Sequence, residues 1–177
     1  MESIEKDKSN RKLQIIEEYT QIYKQYLMTL PLFKVEMEKI SGQNRFERSD
    51  PTYLKHFNKT VKIGDVCYID FGHAYTYEAG FQHFGVVVNM CGNKVLVIPM
   101  TSNPDTYKKA DPTNHYPLPQ LFQLKHVKGL NKNSVCFLHD AKFINKARII
   151  DKKAHIDPAS SLFKELKERL LLTIQQT

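Results

Sequence analysis

Apolar residues are densest over residues 62–103, where two nearly continuous apolar runs flank a short polar turn. The runs at 86–90 and 95–100 are rich in β-branched residues, and this pattern predicts two buried strands. Gly92 and Asn93 between them tolerate positive φ at low steric cost, as a tight hairpin requires. The pattern therefore predicts a buried hairpin at the centre of the fold.

Unusual polar residues stand at both outer ends of this hairpin. His83 precedes the first strand, and Thr101, Ser102 and Asn103 follow the second. Because a hairpin folds back on itself, its two outer ends lie together. We therefore expect His83 and Thr101 to be neighbours at one rim of a small β domain, and we interpret this rim as the working site.

Further elements surround the hairpin. The pattern predicts strands at 66–71, 121–124, 134–138 and 147–150, and one helical turn at 140–144. The loop at 72–82, between the first strand and the hairpin, is rich in glycine and aromatic residues. Long loops between paired strands often carry function, so this loop is a candidate binding element.

Helical spacing marks the start of the chain. After a polar and frayed beginning, apolar residues recur at helical intervals from Arg11 to about Leu30, and Pro31 ends or kinks this helix. A second helical piece is predicted over 32–40, with a polar link over 42–58. The apolar stripe of the first helix packs against its own domain or, as the alternative, forms a dimer or partner surface.

The end of the chain is also helical. Asp157 and Pro158 are a good helix start, and the closing helix is predicted over 159–174. Short strands, long loops and a terminal helix predict a mainly β, α+β fold, a small SH3-like β barrel with helical additions. We expect an N-terminal helical extension and linker over 1–60 and the barrel domain over 61–177.

Composition narrows the class of protein. The 177 residues are 41% apolar and 25% charged, which fits a folded globular protein with a real core. No apolar run approaches the roughly 20 residues needed to cross a bilayer, and the charged N-terminus has no apolar signal region behind it. We expect a cytoplasmic protein without membrane contact.

Charge and cysteine content bear on partners and cofactors. The net charge of +7 favours a polyanionic partner, such as RNA, DNA or an acidic protein. Cys67, Cys91 and Cys136 are odd in number and lack the spacing of metal ligands. We expect buried free thiols, no metal site and no cofactor.

Four short stretches in a fixed order give the chain a family resemblance. Residues 62–66 are similar to a basic-x-Gly-Asp-Val strand, and residues 78–88 to a loop followed by an aliphatic strand. Residues 97–103 are close to an aliphatic-Pro-Leu-Thr-Ser-Asn segment, and residues 134–148 to a strand, a one-turn helix and a basic stretch. In this order they resemble the MazF/PemK family of toxin endoribonucleases, over about residues 62–152.

The resemblance implies a fold, a reaction and partners. It implies an SH3-like barrel of the MazF/PemK/CcdB type and a homodimer that cleaves single-stranded RNA without a metal. A ribose 2′-OH would attack the adjacent phosphate, giving a 2′,3′-cyclic phosphate and a free 5′-OH. An antitoxin protein would inhibit the enzyme by laying an extended acidic segment over the RNA groove.

The chain departs from the family pattern at its expected catalytic position. His83 stands where the family usually has Arg, and Phe84 stands where it has Pro. Unlike Arg, His can act as a base near neutral pH. His139 replaces an acidic residue of the family pattern, so two histidines could supply a base and an acid. Thr101 and Ser102 would donate hydrogen bonds to the phosphate.

Aromatic, polar and basic residues around the rim are the expected RNA contacts, through phosphate binding and base stacking. They are Tyr75, Tyr77, Glu78, Phe81, Gln82, Asn103, Tyr107, Lys142 and Arg148. Arg148 could equally be a structural ion-pair partner, and Glu78 a salt-bridge partner within the loop.

Two other functions fit the same barrel. The loss of the expected Arg favours an inactive module that binds nucleic acid or protein, whereas the retained Thr101 and the titratable His83 favour the nuclease. A third possibility is a poison of a protein target such as a topoisomerase, which would need neither residue. One fold hosts many activities, so the fold alone does not decide.

Overall fold

The computed structural model describes residues 2–50, 60–113 and 118–175, with the side chains of residues 2 and 3 left out. The helices are α1 (Glu2–Thr29), α2 (Leu32–Arg48), α3 (Pro104–Lys109) and α4 (Ser161–Gln175). The strands are β1 (Asp65–Asp70), β2 (Gln82–Cys91), β3 (Lys94–Thr101), β4 (Leu121–Leu124), β5 (Ser134–Phe137), β6 (Lys142–Asn145) and β7 (Ile149–His155). The chain forms two compact units, Met1–Lys39 and Ile40–Thr177. The domain boundary predicted after residue 60 stays a prediction.

The first unit contains α1 and the beginning of α2. Pro31 separates the two helices as predicted, but α1 already begins at Glu2, so the expected frayed start is wrong. Glu and Lys, which are frequent in this segment, have good intrinsic helix propensity. Tyr23 Oη donates to Glu38 Oε1 at 2.6 Å, which ties α1 to α2. The rest of the predicted apolar stripe is mostly exposed, including Ile15, Tyr19 and Ile22.

Helix α2 is longer than predicted. It continues through Ser41 and Gly42 to Arg48, so the expected stop at these two residues is wrong. A glycine inside a helix costs only about 1 kcal/mol relative to alanine, and tertiary contacts readily offset that cost. Ser41 is buried and directs its hydroxyl to Asp70 of β1. Residues 51–59 of the predicted link lie outside the described part of the chain.

A strongly curved antiparallel sheet forms the second unit. Its strand order is β4-β5-β3-β2-β1-β7, and β6 pairs with the other half of β3. The predicted central hairpin is confirmed as β2 and β3, and Gly92 takes a φ of 55° in the turn. The predicted strands at 66–71, 121–124 and 134–138 are confirmed as β1, β4 and β5, each within a residue of its expected ends.

Both faces of the central strands are covered by apolar groups, which explains their continuous apolar sequence. On one face, Val86 and Val88 of β2 pack in a core with Phe163 and Leu166 of α4. On the other face, Val87 packs with residues of β1, β3, β6 and β7 in a second core. Alternate residues of a strand point to opposite faces, so one run supplies both cores.

Two later elements differ from their predicted form. The helical turn expected at 140–144 is a 3₁₀ turn at Leu138–Asp140 followed by strand β6, because Ile144 is buried in the second core. The strand expected at 147–150 starts at Ile149 and extends to His155, where it pairs with β1.

The closing helix starts slightly later than predicted. Asp157 Oδ1 accepts from Ala159 N within a preceding turn, and α4 then begins at Ser161. Ser160 Oγ accepts from Phe163 N at 3.3 Å, so Ser160 is the residue that caps the helix.

The thiols fit the expectation in part. Cys67 and Cys136 are buried thiols, and burial raises the pKa of Cys136. Cys91 is free but exposed, so its predicted burial is wrong. It is the last residue of β2, beside the solvent-exposed hairpin turn. Over the described ranges, no helix is long and apolar enough to cross a membrane.

Candidate active site

His83 and Thr101 meet across the central hairpin. The last paired residues of β2 and β3 at this end are Phe84 and Met100, so the next position along sets His83 opposite Thr101. On its other side His83 is paired with Ile69 of β1. The predicted neighbourhood of His83 and Thr101 is therefore confirmed.

His83 shares its face of the sheet with the second core. Its partner Ile69 is part of that core, and residues opposite each other in an antiparallel pair point to the same face. Gly85, two residues further along β2, leaves room for Ile69, whose Cδ1 would lie 3.1 Å from a Cβ at this position. A Cβ at Gly85 would lie 3.5 Å from Cζ of Phe71. His83 thus stands at the rim of an apolar surface formed by Phe71 and Ile69.

The surroundings of His83 favour the uncharged imidazole. The side chain is partly buried, and burial lowers its pKa from the ordinary value of 6.5. A histidine with a lowered pKa is mostly neutral at pH 7 and has a free lone pair on one ring nitrogen. Chemically, His83 is therefore suited to accept a proton at neutral pH.

Polar groups follow one another at the end of β3. Thr101 Oγ1 accepts from Asn103 N at 3.2 Å, which leaves its hydroxyl hydrogen free to be directed elsewhere. Asn103 Oδ1 accepts from the backbone N–H groups of Asp105 and Thr106 and so caps α3. Ser102 between them is exposed. This segment presents Thr101 beside His83 and exposes Ser102, while the oxygen of Asn103 is used in the cap.

The loop between β1 and β2 is closed at its base by backbone hydrogen bonds. Phe71 N donates to Phe81 O at 2.7 Å, and Phe81 N donates to Gly72 O at 2.6 Å. Tyr77 and Phe81 have φ values of 72° and 55°, in a region that residues with a Cβ rarely adopt. Backbone strain of this kind persists only where the surrounding structure holds it, and it is frequent at functional sites.

A carboxylate in the turn that follows β5 holds the second half of this loop. Ala79 N donates to Asp140 Oδ2 at 3.1 Å. Asp140 ends the 3₁₀ turn that contains His139, and His139 is exposed. The contact brings the second candidate histidine to the loop that carries Glu78, which is also exposed.

Two cations converge on Phe71. Lys142 Nζ lies over the Phe71 ring at 5.9 Å from its centroid. Arg148 Nη1 donates to the backbone carbonyls of Asp70 at 3.2 Å and Phe71 at 2.9 Å. Both predicted basic residues therefore lie at the start of the β1–β2 loop, where they make the rim electropositive.

The predicted aromatic contacts have different environments. Tyr75 and Tyr77 are 87% and 98% exposed, as a base-stacking role requires. Phe81 is partly buried and makes an edge contact with the ring of His73. Tyr107 packs against the small core of Ala110, Leu121 and Val135, so its ring is part of the packing around α3.

Gln82, one of the predicted RNA contacts, is buried and hydrogen-bonded inside the protein. It is 8% exposed, and its Nε2 donates to Ser41 Oγ at 2.8 Å and to Asp70 Oδ1 at 3.3 Å. An amide that is buried and bonded in this way is not available to a ligand. The nearly continuous apolar run of β2 gives no sign of this contact, because the partner Ser41 comes from a helix far away in sequence.

Sequence reasoning missed the support beneath the rim. Asp70 is 4% exposed and accepts hydrogen bonds from Ser41, Asn44 and the backbone of Gly72, in addition to Gln82. A carboxylate inside the apolar run of β1 was a usable signal, since buried carboxylates need partners. The identity of those partners had no local signal.

Among the residues with described positions, no group of three or more His, Cys, Asp or Glu could hold a metal ion.

Comparison with known proteins identifies the class. The family of PemK-like, MazF-like toxins of type II toxin–antitoxin systems matches residues 62–174, well over half of the chain. The protein therefore belongs to the MazF/PemK toxin family. No curated protein matches its sequence.

Several solved structures are similar to this chain to different degrees. MazF from Deinococcus radiodurans is similar with a TM-score of 0.51 and 13% identity, over 67% of this chain and 99% of that one. A MazE–MazF complex from the same organism has a TM-score of 0.47 and 12% identity, over 68% and 100% of the two chains. A mycobacterial endoribonuclease in complex with its cognate antitoxin has a TM-score of 0.46 and 12% identity, over 67% and 98%.

The D. radiodurans likeness confirms the predicted fold class. The protein is an α+β barrel of the MazF type with helices at both ends of the chain. At this level of identity the likeness concerns the fold.

Proposed function

We propose that this protein is a toxin endoribonuclease that cleaves single-stranded RNA without a metal, using His83 as its base. The observation that supports this most is the partly buried His83 at the register position opposite Thr101, one step beyond the pair of Phe84 and Met100. Membership of the MazF/PemK toxin family supports the reaction class.

In the proposed reaction, the phosphorus would be transferred from the 5′-oxygen of one nucleotide to the 2′-oxygen of the preceding ribose. His83 would take the proton of the 2′-OH while the 2′-oxygen attacks the adjacent phosphorus. The bond from phosphorus to the 5′-oxygen then breaks, and that oxygen takes a proton from a second side chain that acts as the general acid. The products are a 2′,3′-cyclic phosphate and a free 5′-OH.

His139 and the hydroxyls would complete the site. His139 is exposed beside the loop that Asp140 holds, so as an imidazolium it could protonate the leaving 5′-oxygen. Thr101 and Ser102 would donate hydrogen bonds to the phosphorane, whose extra negative charge needs donors. Lys142 and Arg148 would add positive charge at the same rim.

RNA binding would use the exposed part of the rim. Tyr75 and Tyr77 would stack on unpaired bases, as aromatic side chains do in single-strand binding sites. Lys142 and Arg148 would contact phosphates, so affinity should fall as salt rises. Glu78, exposed in the same loop, and Asn103 would contact base edges or sugars.

The partners would be an antitoxin and a second copy of the chain. The net charge of +7 suits an inhibitor that lays an acidic, extended segment over the RNA groove. The family is defined by toxins of toxin–antitoxin systems, which supports an antitoxin for this chain too. A homodimer is the assembly we propose for the barrel.

The test is direct cleavage of a long RNA in EDTA by the wild type, His83→Ala and Thr101→Ala. His126→Ala is the control, since His126 is an exposed histidine of a loop after β4. We expect the wild type and the control to leave 2′,3′-cyclic phosphate ends. We expect each site variant to lose at least about 100-fold in rate.

Two results would count against the nuclease. One is full activity of His83→Ala, which would remove the proposed base. The other is a folded wild type that binds varied RNAs and cuts none of them, which would favour the binding module on the same barrel.

A further inference from the structure

Helix α2 reaches the base of the proposed cleavage site with its C-terminal half. Ser41 Oγ donates to Asp70 Oδ1 at 2.7 Å, and Asn44 Nδ2 donates to Asp70 Oδ2 at 2.8 Å. Both oxygens of this buried carboxylate are thus held by one turn of a helix that lies outside the matched region of the family.

The same carboxylate ties together the two ends of the β1–β2 loop. Asp70 Oδ1 also accepts from Gly72 N at 3.0 Å, where the loop begins, and from Gln82 Nε2 at 3.3 Å, where it ends. Gln82 Nε2 donates to Ser41 Oγ as well, at 2.8 Å. Ser41, Asp70 and Gln82 therefore form a closed triangle of buried hydrogen bonds next to His83 along β2, on the face of the sheet opposite to the His83 side chain.

A second contact of α2 supports the basic side of the rim. Arg48 Nη1 donates to Ala147 O at 3.2 Å and to Ile149 O at 3.3 Å. These two carbonyls flank Arg148, whose own guanidinium binds the carbonyls of Asp70 and Phe71. The helix thus contacts both the end of β1 and the backbone on either side of Arg148.

We propose that Ser41 and Asn44 are positioning residues of the cleavage site, which act through Asp70 on the β1–β2 loop and on the strand that carries His83. This inference rests on the proposed function. The loop contains two residues at positive φ, a conformation that needs outside support, and α2 supplies it at the loop's base. The added helix is in this sense part of the site.

The experiment compares Ser41→Ala and Asn44→Ala with Gln43→Ala in the full chain. Gln43 is an exposed residue of the same helical turn, so it controls for changes in the helix itself. We expect Ser41→Ala and Asn44→Ala each to lower kcat about tenfold with little change in KM, because small displacements of a reacting group are costly in rate. Gln43→Ala should leave both constants unchanged.

Amide hydrogen exchange supplies a measurement that does not depend on activity. The reporters are Gly72, Ala79 and Phe81, whose N–H groups hold the loop, and Val86 and Val97 serve as controls in the central strands. We expect faster exchange in Ser41→Ala at the three loop amides only.

Each outcome decides something. Unchanged kcat and unchanged loop exchange in both variants would overturn the inference, and so would an equal loss of protection across the whole sheet, which indicates general destabilisation. If the loop loosens but the wild type cuts no RNA, the proposed function fails and the role of α2 in holding the loop stands.

Discussion

Strand β1 has a buried aspartate at each end, and the two carboxylates have different kinds of partner. Asp65 at the beginning is fully buried and lies beside two basic side chains, with His155 Nδ1 at 2.8 Å and Lys152 Nζ at 3.4 Å from its Oδ1. Its Oδ2 accepts from Lys62 N at 2.8 Å. His155 and Lys152 belong to β7, so these contacts join the two paired strands.

Asp70 at the other end is held by neutral donors. Its partners are the hydroxyl of Ser41, the amides of Asn44 and Gln82, and the backbone of Gly72. These hydrogen bonds fix directions more narrowly than an ion pair with a flexible lysine does. The comparison suggests that Asp65 serves the closure of the sheet and Asp70 the geometry of the site.

The contact of His155 with Asp65 resembles a catalytic pair, but its position in the fold argues against that role. A histidine bonded to a buried carboxylate has the geometry of a catalytic dyad. Yet His155 lies about 16 Å from the β1–β2 loop, by the usual rise along a strand from Asp65 to Asp70. The proposed base, His83, lies at the other end of β1 and is distinguished by its burial and its neighbour Thr101.

The largest expected effect comes from removing each carboxylate in turn. Asp70→Ala should lower kcat about 100-fold, because the loop and His83 lose their common anchor. Asp65→Ala should instead lower the free energy of unfolding by about 2 kcal/mol, since buried hydrogen bonds are lost, with kcat within about twofold of wild type. Steady-state kinetics and urea unfolding on both variants measure the two effects.

This prediction requires that the change in kcat be measured separately from the change in the free energy of unfolding. Asp70→Ala will also lose stability, so activity is compared at a temperature where both variants are folded by circular dichroism. If Asp65→Ala lost as much kcat as Asp70→Ala under those conditions, the two ends of β1 would not have the separate roles that we assign to them.

Much of the barrel was predictable from sequence because its signals are local. The continuous apolar runs and the turn at Gly92 and Asn93 predicted the central hairpin, and its closure brought His83 to Thr101. Helix ends were less predictable. Gly42 is a helix-breaking signal by propensity, but the contact of Ser41 with Asp70 carries α2 past it.

The hydrogen bonds that support the candidate site could not be predicted from local sequence either, because they too join residues that are distant in sequence. Asp70 and Gln82 were visible as polar residues at strand ends, but the helix that satisfies them is 29 residues from Asp70 at Ser41. The local sequence therefore predicts that Gln82 contacts RNA, whereas the structure buries it. The exposure of Tyr75 and Tyr77 and the packing of Tyr107 likewise depend on tertiary structure.

A pH profile tests the environment of His83. Because burial lowers its pKa below 6.5, we expect the acid limb of kcat/KM to have its midpoint below pH 6.5. The unfolded chain binds this proton at about pH 6.5 and the folded chain only at lower pH. The contribution of His83 to stability is thus complete above pH 6.5 and is lost as pH falls through the folded pKa.

NMR titration of His83 is the matching direct measurement, with His126 as an exposed reference in the same sample. A His83 midpoint at or above that of His126 would contradict the buried, neutral imidazole. Such a midpoint would remove the lowered pKa as support for His83 as the general base, independently of the result of the cleavage assay.

The smallest expected effect concerns Tyr77, the most exposed aromatic residue of the β1–β2 loop. Its side chain makes little contact with the rest of the protein, so Tyr77→Ala should leave the unfolding midpoint almost unchanged. The affinity for single-stranded RNA should fall about fivefold through loss of stacking on one base. Tyr77→Phe keeps the ring and should bind as the wild type does, which separates stacking from a hydrogen bond of the hydroxyl. Equal RNA affinity of Tyr77→Ala and wild type in fluorescence anisotropy would remove the loop tip from the RNA surface, and the rim would then bind RNA through its cations alone.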